Sequence, residues 1–191
     1  MTKPNVREQL LSAGLEALHA RGFNATSVQD ITEAAGVPKG SFYNHFASKE
    51  DLGAAAIERY AAGAKARRRI LSDATLSPLT RLRRYFESLV ALPRYPGAPG
   101  CMLGNFGAEL ANQSPAIRAC VGAAFADWTA ALAEVIGEAQ RAGELPRSDA
   151  PEALAAFVID AWEGAVLRAK VAQDRAPLEA FLAIVFSRIL A

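Results

Sequence analysis

The sequence predicts an all-α chain, and three observations lead there. Alanine, the strongest helix former, supplies 41 of the 191 residues. Valine, isoleucine and threonine, which favour strands, together supply 24. Apolar residues recur at helical spacing between punctuating prolines and glycines, and no stretch alternates in the two-residue rhythm of a strand. The apolar fraction of 51% is enough for a sizeable core and excludes a disordered chain. The length suits one domain or two small ones.

Taken in order, the punctuation divides the chain into nine helices. Pro4 opens the first, over about 4–21, with Val6, Leu10, Ala13, Ala17 and Leu18 on one face, and Gly22 ends it. Thr26 or Ser27 caps a short second helix, Asp30 completes an S-x-x-D capping pattern, and Gly36 stops it. Lys39 to Phe46 forms the third. Ser48-Lys49-Glu50-Asp51 starts a long fourth with a second capping pattern. Ser77-Pro78 and Ser114-Pro115 read as N-cap followed by first helical position, where a missing N–H costs nothing. Pro93, Pro96, Gly97, Pro99 and Gly100 make a loop, as do Gly143 to Ser148. Asp149-Ala150-Pro151-Glu152 reads as a capped start, and Pro177 opens the last segment. The later helices fall at about 78–92, 102–112, 115–141, 150–172 and 177–190.

Several function classes drop out. A bilayer span needs roughly 20 apolar residues, and the longest uninterrupted run here is eight, Ala119 to Ala126 with Gly122 counted. Glu8 and Glu16 interrupt the place of a secretory apolar region. Two cysteines, Cys101 and Cys120, are too few for a disulfide scaffold. A cytoplasmic protein without membrane contact is expected. His19 and His45 are the only histidines and form no zinc spacing. Gly100, Gly104 and Gly107 lack the spacing of a phosphate loop. No metal and no cofactor are expected. The net charge of +1 is an average: residues 1–69 carry 10 Lys/Arg against 7 Asp/Glu, the remainder 11 against 13. The excess around Lys65, Arg67, Arg68 and Arg69 reads as a solvated helix face or as a hint of an anionic partner.

The most informative window is Ser27 to Phe46, S-V-Q-D-I-T-E-A-A-G-V-P-K-G-S-F-Y-N-H-F. Two short helices meet at Ala35-Gly36-Val37, where Gly36 tolerates the positive φ of a tight turn. Val28, Ile31, Ala35, Val37, Phe42 and Phe46 can share one small core. This is the helix-turn-helix layout, whose second helix enters a DNA major groove. Lys39 can reach a phosphate or a guanine edge, Asn44 an adenine, and Ser41 either base type. Gly40 permits close backbone approach, while Tyr43 and His45 face away from Phe42 and Phe46. Thr26, Ser27 and Gln29 start the preceding helix, where amides and dipole favour a phosphate, and Lys49 can clamp another.

These residues resemble the TetR family of bacterial one-component repressors. Its pattern A-G-V-x-x-G-x-x-Y-x-H-F-x-x-K-E-x-L stands here as Ala35-Gly36-Val37, Gly40, Tyr43, His45-Phe46, Lys49-Glu50 and Leu52. The resemblance implies a three-helix DNA-binding domain over 1–47. The remaining residues, 48–191, would then form an all-α effector-binding and dimerisation domain. It carries DNA contact onto Thr26, Ser27, Gln29, Lys39, Gly40, Ser41, Tyr43, Asn44, His45 and Lys49. Thr32 stands where the family usually has alanine, and Asn44 where it often has histidine or an aromatic. Gly100-Cys101-Met102-Leu103-Gly104-Asn105 with Glu109, and Trp162-Glu163-Gly164-Ala165 with Arg168-Ala169-Lys170, are similar to a subgroup of acrylate- and electrophile-responsive (AcuR-like and NemR-like) repressors. Double-stranded DNA, a small effector and a second copy of the chain are the partners this implies.

On the effector side, Cys101 follows the Pro/Gly loop at the start of a helix, where the dipole stabilises a thiolate open to alkylation or oxidation. Lys170 would strengthen that effect if near; the plainer reading of Cys101 is a small cap or core residue. Cys120 reads as an inert core residue. Trp128, Trp162, Phe86, Phe106, Phe125 and Asn105 either line a pocket or are core. Glu109 and Arg168 would be costly buried alone, so one pairs with a ligand or with the other. Small residues Ala161, Gly164, Ala165 and Ala169 and the stripe Phe181, Leu182, Val185, Phe186 and Ile189 suit a dimer seam. Two rivals remain at this point. One is a thiol enzyme with Cys101 as nucleophile, which needs a base. The other is a helical adaptor that binds only protein.

Overall fold

The computed structural model describes residues 5–191, and every regular element among them is helical. Pro4, expected to open the first helix, lies outside the described residues. Eight α-helices and one 3-10 segment make nine helical elements: α1 Val6–Arg21, α2 Val28–Ala34, the 3-10 segment Lys39–Asn44, α3 Lys49–Arg67, α4 Pro78–Ala91, α5 Met102–Leu110, α6 Pro115–Arg141, α7 Pro151–Ala172 and α8 Ala176–Ile184. A 3-10 turn, Arg68–Ser72, continues α3, and a π-turn, Val185–Ile189, continues α8.

The chain forms two compact units. The first runs through Ala62 and takes in Cys101–Ala124; the second holds Gly63–Gly100 and Phe125–Ala191. The first unit therefore contains α5 as well as the helix-turn-helix. Within it, α1 packs on α2 and on Lys39–Asn44. Leu10, Leu18, Ile31, Phe42, Leu52 and Phe106 are fully buried. Leu52 of α3 packs directly on Gly14 of α1, where a β-carbon would lie 2.5 Å from Leu52 Cδ2. Arg59 of α3 holds Glu8 of α1 in a two-pronged ion pair.

The second unit is organised around Phe86. Its ring touches those of Tyr85, Trp162, Phe181 and Phe186 at centroid distances of 5.1–6.3 Å. Burying one such side chain contributes about 1.5–3 kcal/mol, so this cluster binds α4, α7 and α8 together. Two buried arginines flank it: Arg68 donates to the carbonyl and carboxylate of Asp127 at 2.8 Å each, and Arg81 pairs with Glu138 and donates to the Leu71 carbonyl at 2.8 Å.

Most helix starts follow the sequence logic. Ser77 caps α4 with Pro78 behind it, and Ser114 Oγ accepts the Ile117 amide at 3.4 Å. Three details differ. The N-cap of α7 is Ala150, with no side-chain bond, so the start expected at Asp149 is uncapped by that carboxylate. The expected helix 177–190 widens into a π-turn at Val185, and Arg83 there donates to the Phe186 carbonyl at 3.3 Å. By length and composition α6 could cross a bilayer, with a mean hydropathy of 1.4 over 18 of its residues, which the count of uninterrupted apolar residues did not raise. In the structure its Ile117, Leu132, Ile136 and Ala139 are buried within the units and its Asp127 holds Arg68.

Candidate nucleic-acid interface and effector region

The turn that carries the interface is built locally. Ser27 and Asp30 form a reciprocal capping box: Ser27 Oγ accepts the Asp30 amide at 3.1 Å, and Asp30 Oδ2 accepts the Ser27 amide at 2.7 Å. The Ser27 hydroxyl and amide hold the Asp30 carboxyl below its ordinary pKa, with Arg21 adding to the effect. Gly36 takes φ +67°, the left-handed conformation that the turn demands. Pro38 then starts a 3-10 segment without a side-chain cap, and its carbonyl accepts the Ser41 amide at 2.8 Å. Gly40 is a poor α-helix former and no side chain caps the segment, which favours a short tight turn in place of the expected helix 39–46.

Its side chains divide between two faces. Phe42 and Phe46 are buried, whereas Tyr43 is 60% exposed. Lys39, Gly40, Asn44 and His45 are exposed and Ser41 is half-buried. A β-carbon at Gly40 would meet nothing within 4 Å, so no contact inside the chain demands glycine there. One short segment thus presents a cation, two amphipathic rings, an amide and bare backbone to solvent.

The flanking residues require corrections. Thr26 is fully buried and its hydroxyl donates to the Gly22 carbonyl at 2.7 Å, so it braces the turn and has no side chain to offer a phosphate. Lys49 does not project as a clamp. Its ammonium donates to the carbonyls of Phe23 and Thr26 at 2.9 Å each and sits 4.1 Å from the Phe23 ring centroid. Burial lowers its pKa, and Glu109 opposes that shift. Ser27 and Gln29 are exposed, but the Ser27 hydroxyl is used by Asp30 and the Gln29 amide donates to Glu33 at 2.8 Å.

The expected effector residues fall in both units. In the first, Cys101 is the N-cap of α5, half-buried, and accepts the Tyr60 hydroxyl on Sγ at 3.9 Å; the Tyr60 ring stands edge-on to His19. Tyr60 was missed because 41 residues separate it from Cys101. Asn105 is half-buried one turn along α5. Phe106 is fully buried with its edge against Phe23, which makes it core. Glu109 is a correction: its carboxylate accepts the backbone amides of Phe23 at 3.2 Å and Asn24 at 2.8 Å, which leaves it paired with main chain rather than with Arg168 or a ligand.

In the second unit Trp162 is enclosed by Phe86 and Phe181, while Trp128 is 9% exposed and its indole N–H has no acceptor. Arg168 is exposed, a second correction to the expected buried pair. It lines a groove of about 600 Å³ with Phe157, Ala161, Gly164, Ala165 and Ile184 of α7 and α8. Lys170 is half-buried near the end of α7. Of the expected dimer stripe, Ala169, Phe181, Val185 and Phe186 are buried within the chain; Phe157 and Ile184, which the stripe did not include, are exposed. Neither cysteine is in a disulfide. Among the described residues no group of His, Cys, Asp and Glu could hold a metal ion.

Comparison with known proteins agrees with this architecture. Residues 10–56 match the family described as bacterial regulatory proteins, tetR family, and residues 78–185 match the tetracyclin repressor-like C-terminal domain. The HTH-type transcriptional repressor DhaR of Mycobacterium sp. (strain GP1) is 38% identical, across 100% of this chain and 95% of DhaR. The transcriptional regulator AcuR of Cereibacter sphaeroides is also 38% identical, across 91% of this chain and 80% of AcuR. The crystal structure of E. coli NemR in its reduced form superposes with a TM-score of 0.86 at 30% identity, covering 95% of each chain. The exposed Lys39–His45 face, the all-helical fold and these matches at both ends lead to one conclusion: the chain belongs to the TetR family of helix-turn-helix transcriptional regulators.

Proposed function

We propose that this protein is an effector-responsive repressor which binds a near-palindromic operator as a homodimer. It leaves the operator when a small molecule binds or when Cys101 is modified. The observation that carries the reading is the outward face of Lys39–His45 beneath a sealed Phe42 and Phe46. Lys39, Ser41 and Asn44 read base edges, Tyr43 and His45 hold phosphates and sugars, and Gly40 lets the backbone approach. Ser27 and Gln29 flank the same groove. The relatives DhaR and NemR carry the name repressor, which supports repression here.

In this reading residues 1–47 contact DNA and 48–191 carry effector binding and dimerisation, all in the cytoplasm. The α7–α8 groove suits a second copy: Ala161, Gly164 and Ala165 allow close approach, and exposed Phe157 and Ile184 supply apolar area. Two reading segments then enter major grooves about 34–36 Å apart or a multiple of that distance. Within the second unit Trp128, with its unsatisfied indole N–H, serves the effector with Trp162 and Lys170, and within the first Asn105 stands one turn along α5 from Cys101. Cys101 serves an electrophile, as a thiolate favoured at a helix start.

Selection of bound sequences from random duplexes tests the first part: a palindrome is expected, and recovery of no preferred sequence overturns it. Treatment of the bound complex with acrylate or N-ethylmaleimide tests the second. The wild type should release DNA with a single adduct at Cys101, and Cys101→Ser should hold on. Equal behaviour of the two proteins removes Cys101 from the mechanism.

A further inference from the structure

The turn between α1 and α2 is held by side chains from two other helices. Glu109, near the end of α5, accepts the Asn24 amide at 2.8 Å and the Phe23 amide at 3.2 Å. Lys49, at the start of α3, donates to the Phe23 and Thr26 carbonyls at 2.9 Å each. Phe106, three residues before Glu109, sets its ring against Phe23 at 5.8 Å. Gly22 makes the approach possible: it has φ +88°, and a β-carbon there would stand 2.5 Å from Glu109 Oε1. Four backbone polar groups of this turn are therefore satisfied from α3 and α5. The same turn ends at buried Thr26, directly before Ser27, the cap on which α2 is built. The Lys39–Asn44 segment follows α2 and packs on it.

We propose that Glu109 is a positioning residue for operator binding, tying the end of α5 to the turn that orients α2 and the reading segment. A displacement of α5 then reaches the DNA-reading face through the two amides that Glu109 holds. Helix α5 begins at Cys101, roughly 12 Å from Glu109 at the ordinary helical rise, so its far end is the one exposed to modification in the reading above. The inference rests on that reading only for what moves α5.

The test compares Glu109→Ala and Glu109→Gln with wild type on the selected operator duplex, after circular dichroism shows each protein folded. E109A should bind about tenfold or more weakly. E109Q, whose one amide oxygen accepts one of the two N–H groups while its NH2 faces the other, should lose less affinity than E109A. A residue with a structural role alone would lower the unfolding midpoint and leave the affinity of the folded protein unchanged; that result overturns the proposal. Hydrogen exchange on wild type gives a reading free of variant folding. Operator should slow exchange at 23–24 and 106–110 together, and protection confined to 39–45 overturns the proposal as well. N-ethylmaleimide separates the two ideas. Alkylation should weaken wild type and change E109A by less than about twofold. If alkylated wild type keeps its affinity, the Cys101 reading fails, and Glu109 is judged on affinity and exchange.

Discussion

Two adjacent aromatic pairs, Phe42-Tyr43 and Tyr85-Phe86, have nearly the same internal geometry and opposite fates. Each is edge-to-face with centroids 5.2 Å apart. Yet Tyr43 is 60% exposed and Tyr85 is 2% exposed. Consecutive residues on a helical turn lie roughly 100–120° apart, so one face of a pair is covered only if a second element lies over it. Helix α4 has α8 and the Arg68–Ser72 turn against it, and both rings are enclosed. The Lys39–Asn44 segment packs on α2 and α1, and its tyrosine is left in solvent. Tyr43 keeps an edge contact with Phe42 but leaves most of its ring open to solvent, whereas the Tyr85 ring is used inside the chain.

The largest expected effects break this comparison cleanly. Phe86→Ala should cost about 3–5 kcal/mol, because it empties a site ringed by four aromatics. Tyr43→Ala should stay within about 0.5 kcal/mol of wild type in stability. Its operator affinity should nevertheless fall by about tenfold or more. Urea titration and a binding isotherm on the same preparations measure both quantities. Similar stability losses for the two variants would show that exposure does not separate these aromatics. A smaller effect sharpens the point. Lys39→Ala should lower the slope of log affinity against log salt by about one, uniformly across operator sequences if Lys39 meets a phosphate. A change in sequence preference would instead assign Lys39 to a base edge.

The local features of both regions were legible from the sequence. Gly36 at φ +67°, the Ser27–Asp30 box and the Ser77-Pro78 start depend on residues within four positions of each other. What escaped depends on distance along the chain. Glu109 and Asn24 are 85 residues apart, Tyr60 and Cys101 are 41 apart, and Arg59 and Glu8 are 51 apart. Nothing in composition or periodicity pairs them. Lys49 shows the limit of pattern reading. Its place in the family pattern suggests a role at the surface. The side chain is long enough to turn inward, and there its ammonium meets two backbone carbonyls of the α1–α2 turn, of which that of Phe23 also accepts the Thr26 amide.

The smallest expected effect concerns how the reading region is supported. The core of α4 rests on aromatic burial, which does not titrate, whereas α2 starts on a solvated carboxylate. Asp30 is held below its ordinary value of 3.8, first by the Ser27 hydroxyl, then by the Ser27 amide and Arg21. A lowered folded-state pKa means that the unfolded chain takes up the proton first as pH falls. The stabilisation is complete above the unfolded value and is lost as pH drops from about 3.8 through the folded value. In Asp30→Asn this dependence is absent, although an amide oxygen can still accept the Ser27 amide. Urea midpoints of wild type and D30N should therefore differ by a constant above about pH 5 and converge below 3.8. A difference that stays constant through the acid range would mean that the capping box owes nothing to the carboxylate charge. The reading region would then rest on neutral hydrogen bonds alone.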